Sequence, residues 1–270
     1  MYATFSVVQS FAHLINHGFS YRYIGRLIVS FTIAFLFIKA MTLNTTARTS
    51  ANLWYRTTII VIGFLISSIG GGIYENSELT GSSPSLILLL GWLVYVFWYS
   101  RFDTRTHNFE VGSFLPEFEL EDTDKRMVSS KSFLSKPSII LFYRGNWCPL
   151  CMAQIKEIAA QYKELEKRGI QMIMISPQPH HFSKSLAKKF NVNFQFLVDT
   201  DNKVARQLAI FQKNGLPMGM QLLGYKNDTV MPTVIITDAT GKIIFADLTD
   251  NYRVRPEPET FFKVLDENLI

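Results

Sequence analysis

The chain has 270 residues, more than a single small domain needs, and its charges are unevenly distributed. Only five of its 27 Lys and Arg residues lie before Arg101, and the later ones are mixed with carboxylates. This dispersion excludes the clustered basic stripe of a nucleic-acid-binding protein and favours attraction to anionic lipid. Two cysteines in the whole chain exclude a disulfide framework and a four-cysteine zinc site.

Two uncharged segments in the first part of the chain predict membrane-spanning helices. Residues 57–74 and 84–100 contain no charged side chain, and each reaches roughly 25 Å at about 1.5 Å of rise per residue. An earlier segment, about residues 24–43, has a shorter apolar run between Arg26 and Lys39, so it can cross the bilayer or lie along its surface. The alternative is a buried helical hairpin of a soluble protein. We therefore predict two or three transmembrane helices in contact with a lipid bilayer.

The charges around these segments predict an orientation in the membrane. The loop between the two clear spans contains Glu75 and Glu78 but no Lys or Arg, whereas Arg101 and Arg105 follow the second span. The positive-inside rule then puts the rest of the chain in the cytoplasm. We predict a multi-pass protein of the cell membrane, with an anchor over residues 1–105.

Residues 106–270 alternate short apolar runs with helical periods. Residues 138–143 and 172–175 predict buried strands, and the apolar positions between them recur at helical spacing up to about Gly169. Such a unit predicts parallel strands with a right-handed crossover. Further strands are predicted at 196–198, 233–237 and 243–246, and helices at 203–210 and 258–269. The pattern predicts an α/β domain with a mixed central sheet flanked by helices.

The strand ending at Tyr143 leads directly into Trp147-Cys148-Pro149-Leu150-Cys151. Pro149 suits the first position of a helix, where its missing N–H costs nothing. Cys148 then lies near the N-cap, where unpaired backbone donors and the helix dipole stabilise a thiolate, and Arg144 adds to this positive field. Cys151, one turn later, can attack a mixed disulfide formed on Cys148. The pair therefore indicates thiol redox chemistry.

Other interpretations of the cysteines compete with this one. Half a zinc site needs two more ligands, for which His180 and His181 are the adjacent candidates, and inert core thiols are not expected at a strand-to-helix junction. The two histidines also leave open a copper-delivery or assembly module without enzymatic activity. The long insertion 211–230, with Met218 and Tyr225, can serve packing, cover the cysteines or touch lipid.

From about Gly112 to Ile270 the chain resembles the peroxiredoxin-like (AhpC/TSA, redoxin) branch of the thioredoxin superfamily. The segment FLPEFELEDTDKRMVSSKSFLSKPSIILFYRGNWCPLC is similar to that family's first strand, loop and active-site strand, and ISPQPHHFSKSLAKKFNVNFQFLVDTDNKVARQLAI to the strand, helix, strand and helix that follow. The resemblance implies a thioredoxin-like fold and an antioxidant oxidoreductase that acts on disulfides or peroxides. It also implies a thioredoxin-type reductant and no metal or organic cofactor.

The motif departs from the peroxiredoxin pattern. When the family's peroxidatic cysteine is aligned with Cys151, Arg144 occupies its Pro position and Cys148 its Thr position, and its peroxide-supporting Arg, expected near Met231-Pro232, is absent. Met231-Pro232-Thr233 is similar instead to the thioredoxin segment in which a cis-Pro packs beside the dithiol, so the resemblance implies a cis bond at Pro232. The supporting residues implied are Arg144, Trp147, Pro149, Pro232 and Thr233.

Two enzymatic mechanisms follow, and both cycle Cys148 and Cys151 between dithiol and disulfide. In the first, which the sequence interpretation prefers, Cys148 attacks a substrate disulfide and Cys151 resolves the mixed disulfide. In the second, a thiol peroxidase mechanism, peroxide oxidises Cys151 to a sulfenic acid and Cys148 condenses with it.

Overall fold

The computed structural model describes residues 1–43, 47–70, 72, 83–102, 107–217 and 219–268. The chain divides into two compact units. The first holds Met1–Thr45 and Thr49–Arg101, and the second holds Thr46–Arg48 and Phe102–Ile270.

The described part of the first unit is helical. Its helices are α1 (Tyr2–His17), α2 (Tyr21–Leu43), α3 (Trp54–Leu65) and α4 (Ser83–Val94). Helices α3 and α4 each continue into a π-helical turn, at Ile66–Gly70 and Tyr95–Tyr99.

Helix α2 is the one described helix that is long and apolar enough to cross a membrane, over Tyr21–Thr42. The apolar helices Trp54–Gly70 and Pro84–Tyr99 are shorter, and at about 1.5 Å per residue they fall short of a hydrocarbon core of roughly 30 Å. Residues 71, 73 and 74 lie outside the described ranges, so the spans predicted at 57–74 and 84–100 stay a prediction without support from the described helices, and the segment 24–43 is the stronger candidate. The structure supports one candidate membrane helix, not two or three.

The residues that carried the predicted orientation lie mostly outside the described ranges. These are Glu75, Glu78 and Arg105. The cytoplasmic position of the second unit stays a prediction.

Helix α1 buries two serines and exposes several large apolar side chains. Ser6 and Ser10 have no exposed surface, whereas Phe5, Phe11 and Ile15 are all more than half exposed. Ser6 faces α2, because its Oγ accepts a hydrogen bond of 2.6 Å from Arg26 Nε. A helix in water buries its apolar face, so this reversed pattern is typical of a helix whose outer surface meets lipid. We call Ser6, Ser10 and Arg26 the polar seam.

Helices α2 and α3 approach each other closely at Gly25. A Cβ at this position would lie 2.3 Å from the backbone nitrogen of Ser67 and 2.4 Å from the carbonyl oxygen of Gly63. Small residues allow this close backbone approach, which is common between helices in membranes.

The second unit is a mixed α/β structure. Its strands are β1 (Glu119–Glu121), β2 (Met127–Ser129), β3 (Ser138–Phe142), β4 (Gln171–Ser176), β5 (Gln195–Val198), β6 (Phe211–Gln212), β7 (Thr229–Val230), β8 (Thr233–Thr237) and β9 (Ile243–Asp247). Its helices are α5 (Pro149–Ala160), α6 (Tyr162–Lys167), α7 (His180–Phe190), α8 (Lys203–Gln207) and α9 (Pro258–Asn268). Seven strands form one sheet in the order β2-β1-β5-β4-β3-β8-β9.

The centre of this sheet follows the predicted pattern. Strands β3, β4 and β5 are parallel, and β8 pairs antiparallel with β3 and with β9. All five residues of β3 are buried, which is why its sequence is continuously apolar after Ser138. The predicted mixed sheet flanked by helices, with a thioredoxin-like arrangement, is confirmed.

Helix lengths differ from the sequence prediction. The helix after Cys151 is interrupted at Gln161, and the helix predicted over 203–210 ends at Gln207. The last helix ends at Asn268, and Leu269 lies outside the described residues.

The insertion 211–230 begins and ends in a small antiparallel pair, β6 with β7. Its tip carries the strongly exposed Leu222, but Tyr225 is buried. Met218, which the sequence singled out, lies outside the described residues.

Candidate active site

The cysteines lie where β3 passes into α5. Cys148 is the N-cap of α5 and Pro149 its first residue, the positions that the sequence predicts. The preceding loop turns at Gly145, whose φ is +145°. A Cβ there would lie 2.7 Å from Trp147 Nε1, so the loop requires glycine. We call residues 143–147 the motif loop.

Arg255 lies against both sulfur atoms. Cys148 and Cys151 are free thiols, 3% and 0% exposed, and Arg255 is 5% exposed. The guanidinium donates to Cys151 Sγ from Nη1 at 3.5 Å and from Nη2 at 3.4 Å, and Nη2 lies 3.9 Å from Cys148 Sγ. No arginine is present near Met231-Pro232, where the resemblance placed one, and the arginine at the two sulfurs comes instead from the segment before α9.

Two acceptors orient this guanidinium. Gln154 Oε1, one turn after Cys151 on α5, accepts from Nη1 at 2.9 Å, and the carbonyl of Tyr252 accepts from Nε at 3.0 Å. Gln154 is almost fully buried. The charge of Arg255 is therefore fixed at Cys151, in surroundings that screen it poorly.

The two thiols have opposite pKa shifts. Burial raises the pKa of Cys151, but the hydrogen bond from Cys148 and the charge of Arg255 outweigh it, so the pKa lies well below the ordinary value. The hydrogen bond to Cys151, followed by burial, raises the pKa of Cys148 well above its ordinary value. The arrangement therefore favours a thiolate at Cys151 and a thiol at Cys148.

Arg144 is a buried residue of the motif loop. Its Nη2 donates to the carbonyl of Gly215 in the insertion. Its guanidinium carbon lies 4.9 Å from the ring centroid of Trp147 and 5.1 Å from that of Tyr252. Its charge lowers the pKa of Cys148, though less than the opposing effects raise it. Arg144 thus links the insertion to the motif loop and supplements the positive field.

Side chains outside the motif loop form hydrogen bonds with its residues. Gln178 Oε1 accepts from the Asn146 backbone N–H at 2.8 Å, and Gln178 Nε2 donates to Tyr143 Oη and Ser183 Oγ, both at 3.0 Å. Tyr225 donates its hydroxyl hydrogen to Asn146 Oδ1. The insertion therefore contacts the loop through Tyr225 as well as through the carbonyl that Arg144 binds.

Pro232 and Thr233 lie at the start of β8, where Thr233 is opposite Phe142 at the end of β3. This brings them beside the strand that leads into the motif loop. The Met231–Pro232 bond is trans, as are the other described peptide bonds, so the predicted cis bond is wrong.

The two histidines lie at the start of α7. His180 Nε2 is 2.7 Å from Glu121 Oε2 on β1, and the His181 ring is 4.0 Å from the ring of Phe182, centroid to centroid. Within the described ranges, no three His, Cys, Asp or Glu side chains form a group that could hold a metal ion.

The sequence interpretation missed Arg255 and Gln154, and left the role of Tyr225 open. One signal was available for Arg255: Tyr252-Arg-Val-Arg255-Pro256 places two arginines two residues apart just before the last helix. Gln154 is three residues after Cys151 on the same helix, a spacing that places it on the same face.

A known family model matches the part of the chain that holds the two cysteines. Residues 111–246, about half of the 270 residues, match the AhpC/TSA family model. The chain belongs to the AhpC/TSA family.

Among known proteins, the chain is 32% identical over 99 residues to "Peroxiredoxin Q, chloroplastic" of Gentiana triflora, covering 37% of this chain and 46% of that protein. It is 33% identical over 99 residues to the protein of the same name from Triticum aestivum, with the same coverage. The chain spans about half the length of these curated relatives. A crystal structure of a peroxiredoxin-like protein from Aquifex aeolicus matches 60% of this chain and 90% of its own, with 16% identity and a TM-score of 0.49.

Proposed function

We propose that this protein is a thiol peroxidase in which Cys151 is the peroxidatic cysteine and Cys148 the resolving cysteine. The observation that carries the proposal is the pair of hydrogen bonds from Arg255 to Cys151 Sγ. They favour the thiolate at Cys151, whereas the sequence interpretation preferred Cys148 as the nucleophile. Membership of the AhpC/TSA family supports a peroxide as the substrate.

The reaction proceeds in two steps at the two sulfur atoms. The Cys151 thiolate attacks the terminal hydroxyl oxygen of a peroxide ROOH, the S–O bond forms as the O–O bond breaks, and the leaving alkoxide takes a proton from water to become ROH. Cys151 is then a sulfenic acid. Cys148 attacks its sulfur, water leaves, and a Cys148–Cys151 disulfide forms. A thioredoxin-type dithiol restores both thiols through a mixed disulfide.

Arg255 suits the first step for two reasons. It stabilises the attacking thiolate, and its fixed positive charge lies 3.4 Å from the sulfur at which a peroxide would react and develop negative charge. Gln154 and the Tyr252 carbonyl hold the guanidinium in place, so it need not reorganise during the reaction.

Thiol–disulfide exchange through Cys148 is the second candidate function. Cys148 is at the N-cap and is the less buried of the two cysteines, which favours attack on a larger substrate. Its raised pKa argues against it as the first nucleophile.

We propose further that residues 1–105 anchor a redoxin domain of residues 106–270 to the cell membrane. The apolar helix α2 and the reversed burial pattern of α1 support this anchoring. The positive-inside rule, applied to Arg101 and Arg105, supports a cytoplasmic redoxin domain.

One experiment distinguishes the two redox mechanisms. The full chain in detergent, as Cys148→Ser and as Cys151→Ser, is treated with hydrogen peroxide and a sulfenic-acid trap, and in parallel with a protein disulfide. We expect trapped sulfenic acid on Cys151 in the Cys148→Ser variant and none in the other variant. A mixed disulfide on Cys148, without sulfenic acid on Cys151, would overturn the peroxidase proposal in favour of disulfide exchange.

A further inference from the structure

Helices α1 and α2 form an open polar cavity of about 360 Å³, and its lining includes the exposed residues Gln9, Asn16 and His17. Its polar lining comes from the second half of α1 and the first half of α2. The residues are Gln9, His13, Asn16, His17, Tyr23 and Arg26. The peroxidase mechanism proposed above uses none of these side chains.

The side chains of this cavity are held in place by their neighbours. His13 stacks on Tyr23 with ring centroids 3.6 Å apart, and the His17 ring is 4.7 Å from that of His13. Arg26 donates from Nε to Ser6 Oγ and from Nη2 to Gln9 Oε1, each at 2.6 Å. The cavity is thus a prearranged cluster of one guanidinium and two imidazoles.

The charge of the cluster favours an anion. No Asp or Glu occurs before Glu75, so Arg26 has no carboxylate partner in α1 or α2. A metal ion is disfavoured because two imidazoles supply only part of a ligand set, and no group of three ligands occurs in the described part of the chain. Guanidinium and imidazole N–H donors suit a phosphate group.

The surroundings of the cavity indicate where the phosphate comes from. Phe5, Phe11 and Ile15 are exposed on the outer side of α1, and α2 carries Phe31 and Phe35 exposed on its own surface. Apolar surface on both helices beside an anion-binding cavity suits an amphiphilic ligand. Its acyl chains would lie along the exposed phenylalanines and its anionic headgroup in the cavity.

We propose that the cavity between α1 and α2 binds the phosphate of an anionic phospholipid, with Arg26, His13 and His17 as its donors. The proposal rests on the proposed membrane anchoring. It adds a specific headgroup site to what would otherwise be general attraction between a basic segment and an anionic surface. A cavity of this volume accommodates a glycerophosphate headgroup.

The test is native mass spectrometry of the detergent-solubilised full chain, titrated separately with dioleoyl phosphatidylglycerol, dioleoyl phosphatidylcholine and inorganic phosphate. We expect phosphatidylglycerol to bind with about tenfold higher affinity than phosphatidylcholine. Arg26→Gln, and the double change His13→Gln with His17→Gln, should remove this preference, whereas Arg26→Lys should keep most of it. Lys39→Gln is the matched control, because Lys39 is an exposed cation on α2 that does not line the cavity.

Two results would overturn the proposal: equal affinity for the two lipids, or equal loss in the Lys39→Gln control. Preferential binding of inorganic phosphate would assign the site to a free anion instead and would also overturn it. Circular dichroism checks the fold of each variant, and the histidine double variant keeps the test decisive if Arg26→Gln unfolds. Flotation with neutral vesicles tests anchoring alone, so a failed headgroup site and a failed anchor give different results.

Discussion

Arg255 donates two hydrogen bonds to the sulfur of Cys151, although 104 positions separate the two residues in the chain. The contact joins the segment before the last helix to the first turn of α5. It assigns the thiolate to the more buried cysteine, which burial alone would keep protonated.

Replacing Arg255 with Met should raise the pKa of Cys151, because the hydrogen bond from Cys148 then opposes burial without the charge and hydrogen bonds of Arg255. The rate of Cys151 alkylation by iodoacetamide should therefore rise with pH over a lower pH range in the native protein than in the variant. The rate of peroxide reduction at pH 7 should fall about 10²-fold to 10³-fold, as for loss of other donors to a developing anion.

Arg168→Met is the matched control for this prediction. Arg168 is a surface residue that pairs with Glu164 and Asp266. Its replacement should leave both rates unchanged, and an Arg255→Met variant with the native alkylation profile would contradict the assigned role of Arg255.

Replacing Tyr225 with Phe should loosen the motif loop. The change removes the hydrogen bond to Asn146 Oδ1 and keeps the ring stacked on Phe182 at 4.8 Å. A lost hydrogen bond costs about 1 kcal/mol, so amide hydrogens of the loop should exchange about fivefold faster. Tyr162→Phe, which removes an exposed hydrogen bond to Glu166, should leave this exchange unaltered. Equal exchange in both variants would show that Tyr225 does not restrain the loop.

Asp199 should make the stability of the protein depend on pH. Burial raises its pKa to about 6, although its carboxylate accepts hydrogen bonds from the backbone N–H groups of Val204 and Ala205. The folded state therefore binds this proton more tightly than the unfolded state. The contribution of Asp199 is greatest below its unfolded pKa, about 4, and is lost as the pH rises through about 6.

The measurement is the free energy of urea unfolding, compared between the native protein and Asp199→Asn from pH 4 to pH 7. The native protein should lose about 2 to 3 kcal/mol relative to the variant over this range. Asp238→Asn is the control, because hydrogen bonds to Asp238 outweigh its burial and lower its pKa, so its contribution is already largely present at pH 4 and should change little up to pH 7. A native-minus-variant difference for Asp199 that is flat with pH would contradict the prediction.

Replacing Gly25 with Val should disrupt the packing of α2 on α3. The new Cβ would overlap the backbone of Ser67 and Gly63, and overpacking of this kind costs about 1–3 kcal/mol or more. Gly91→Val on α4 is the matched control, because a Cβ there meets no atom within 4 Å. The melting temperature in detergent should fall for the first variant only. An equal fall in melting temperature for both variants would show that the loss comes from valine in a helix and not from close packing of α2 on α3.

Local patterns in the sequence were sufficient for the central sheet and the cysteine pair. The buried strands β3, β4 and β8 are continuous apolar runs, and Cys148 and Cys151 are the only thiols in the chain. A long-range contact such as that of Arg255 has no such local pattern. The resemblance to the family placed the supporting arginine near Met231-Pro232, where the chain has no arginine.

The membrane helices show a different limit of sequence patterns. Residues 57–74 are uncharged, but the segment includes three consecutive glycines at 70–72, which are poor helix formers. The charge of Arg26 was evidence against a membrane span over residues 24–43. Its guanidinium, however, donates hydrogen bonds to Ser6 and Gln9 on α1. A hydropathy window registers the charge of an arginine but not the partners that make it tolerable inside a helix pair.

Cys148 and Cys151 lie within a single helical turn and are the only cysteines of the chain. The proposed catalytic cycle therefore needs no thiol from a second copy of the protein. The rate of peroxide reduction per molecule should therefore not depend on the protein concentration. A nanodisc that holds a single copy of the protein should reduce peroxide at the full rate.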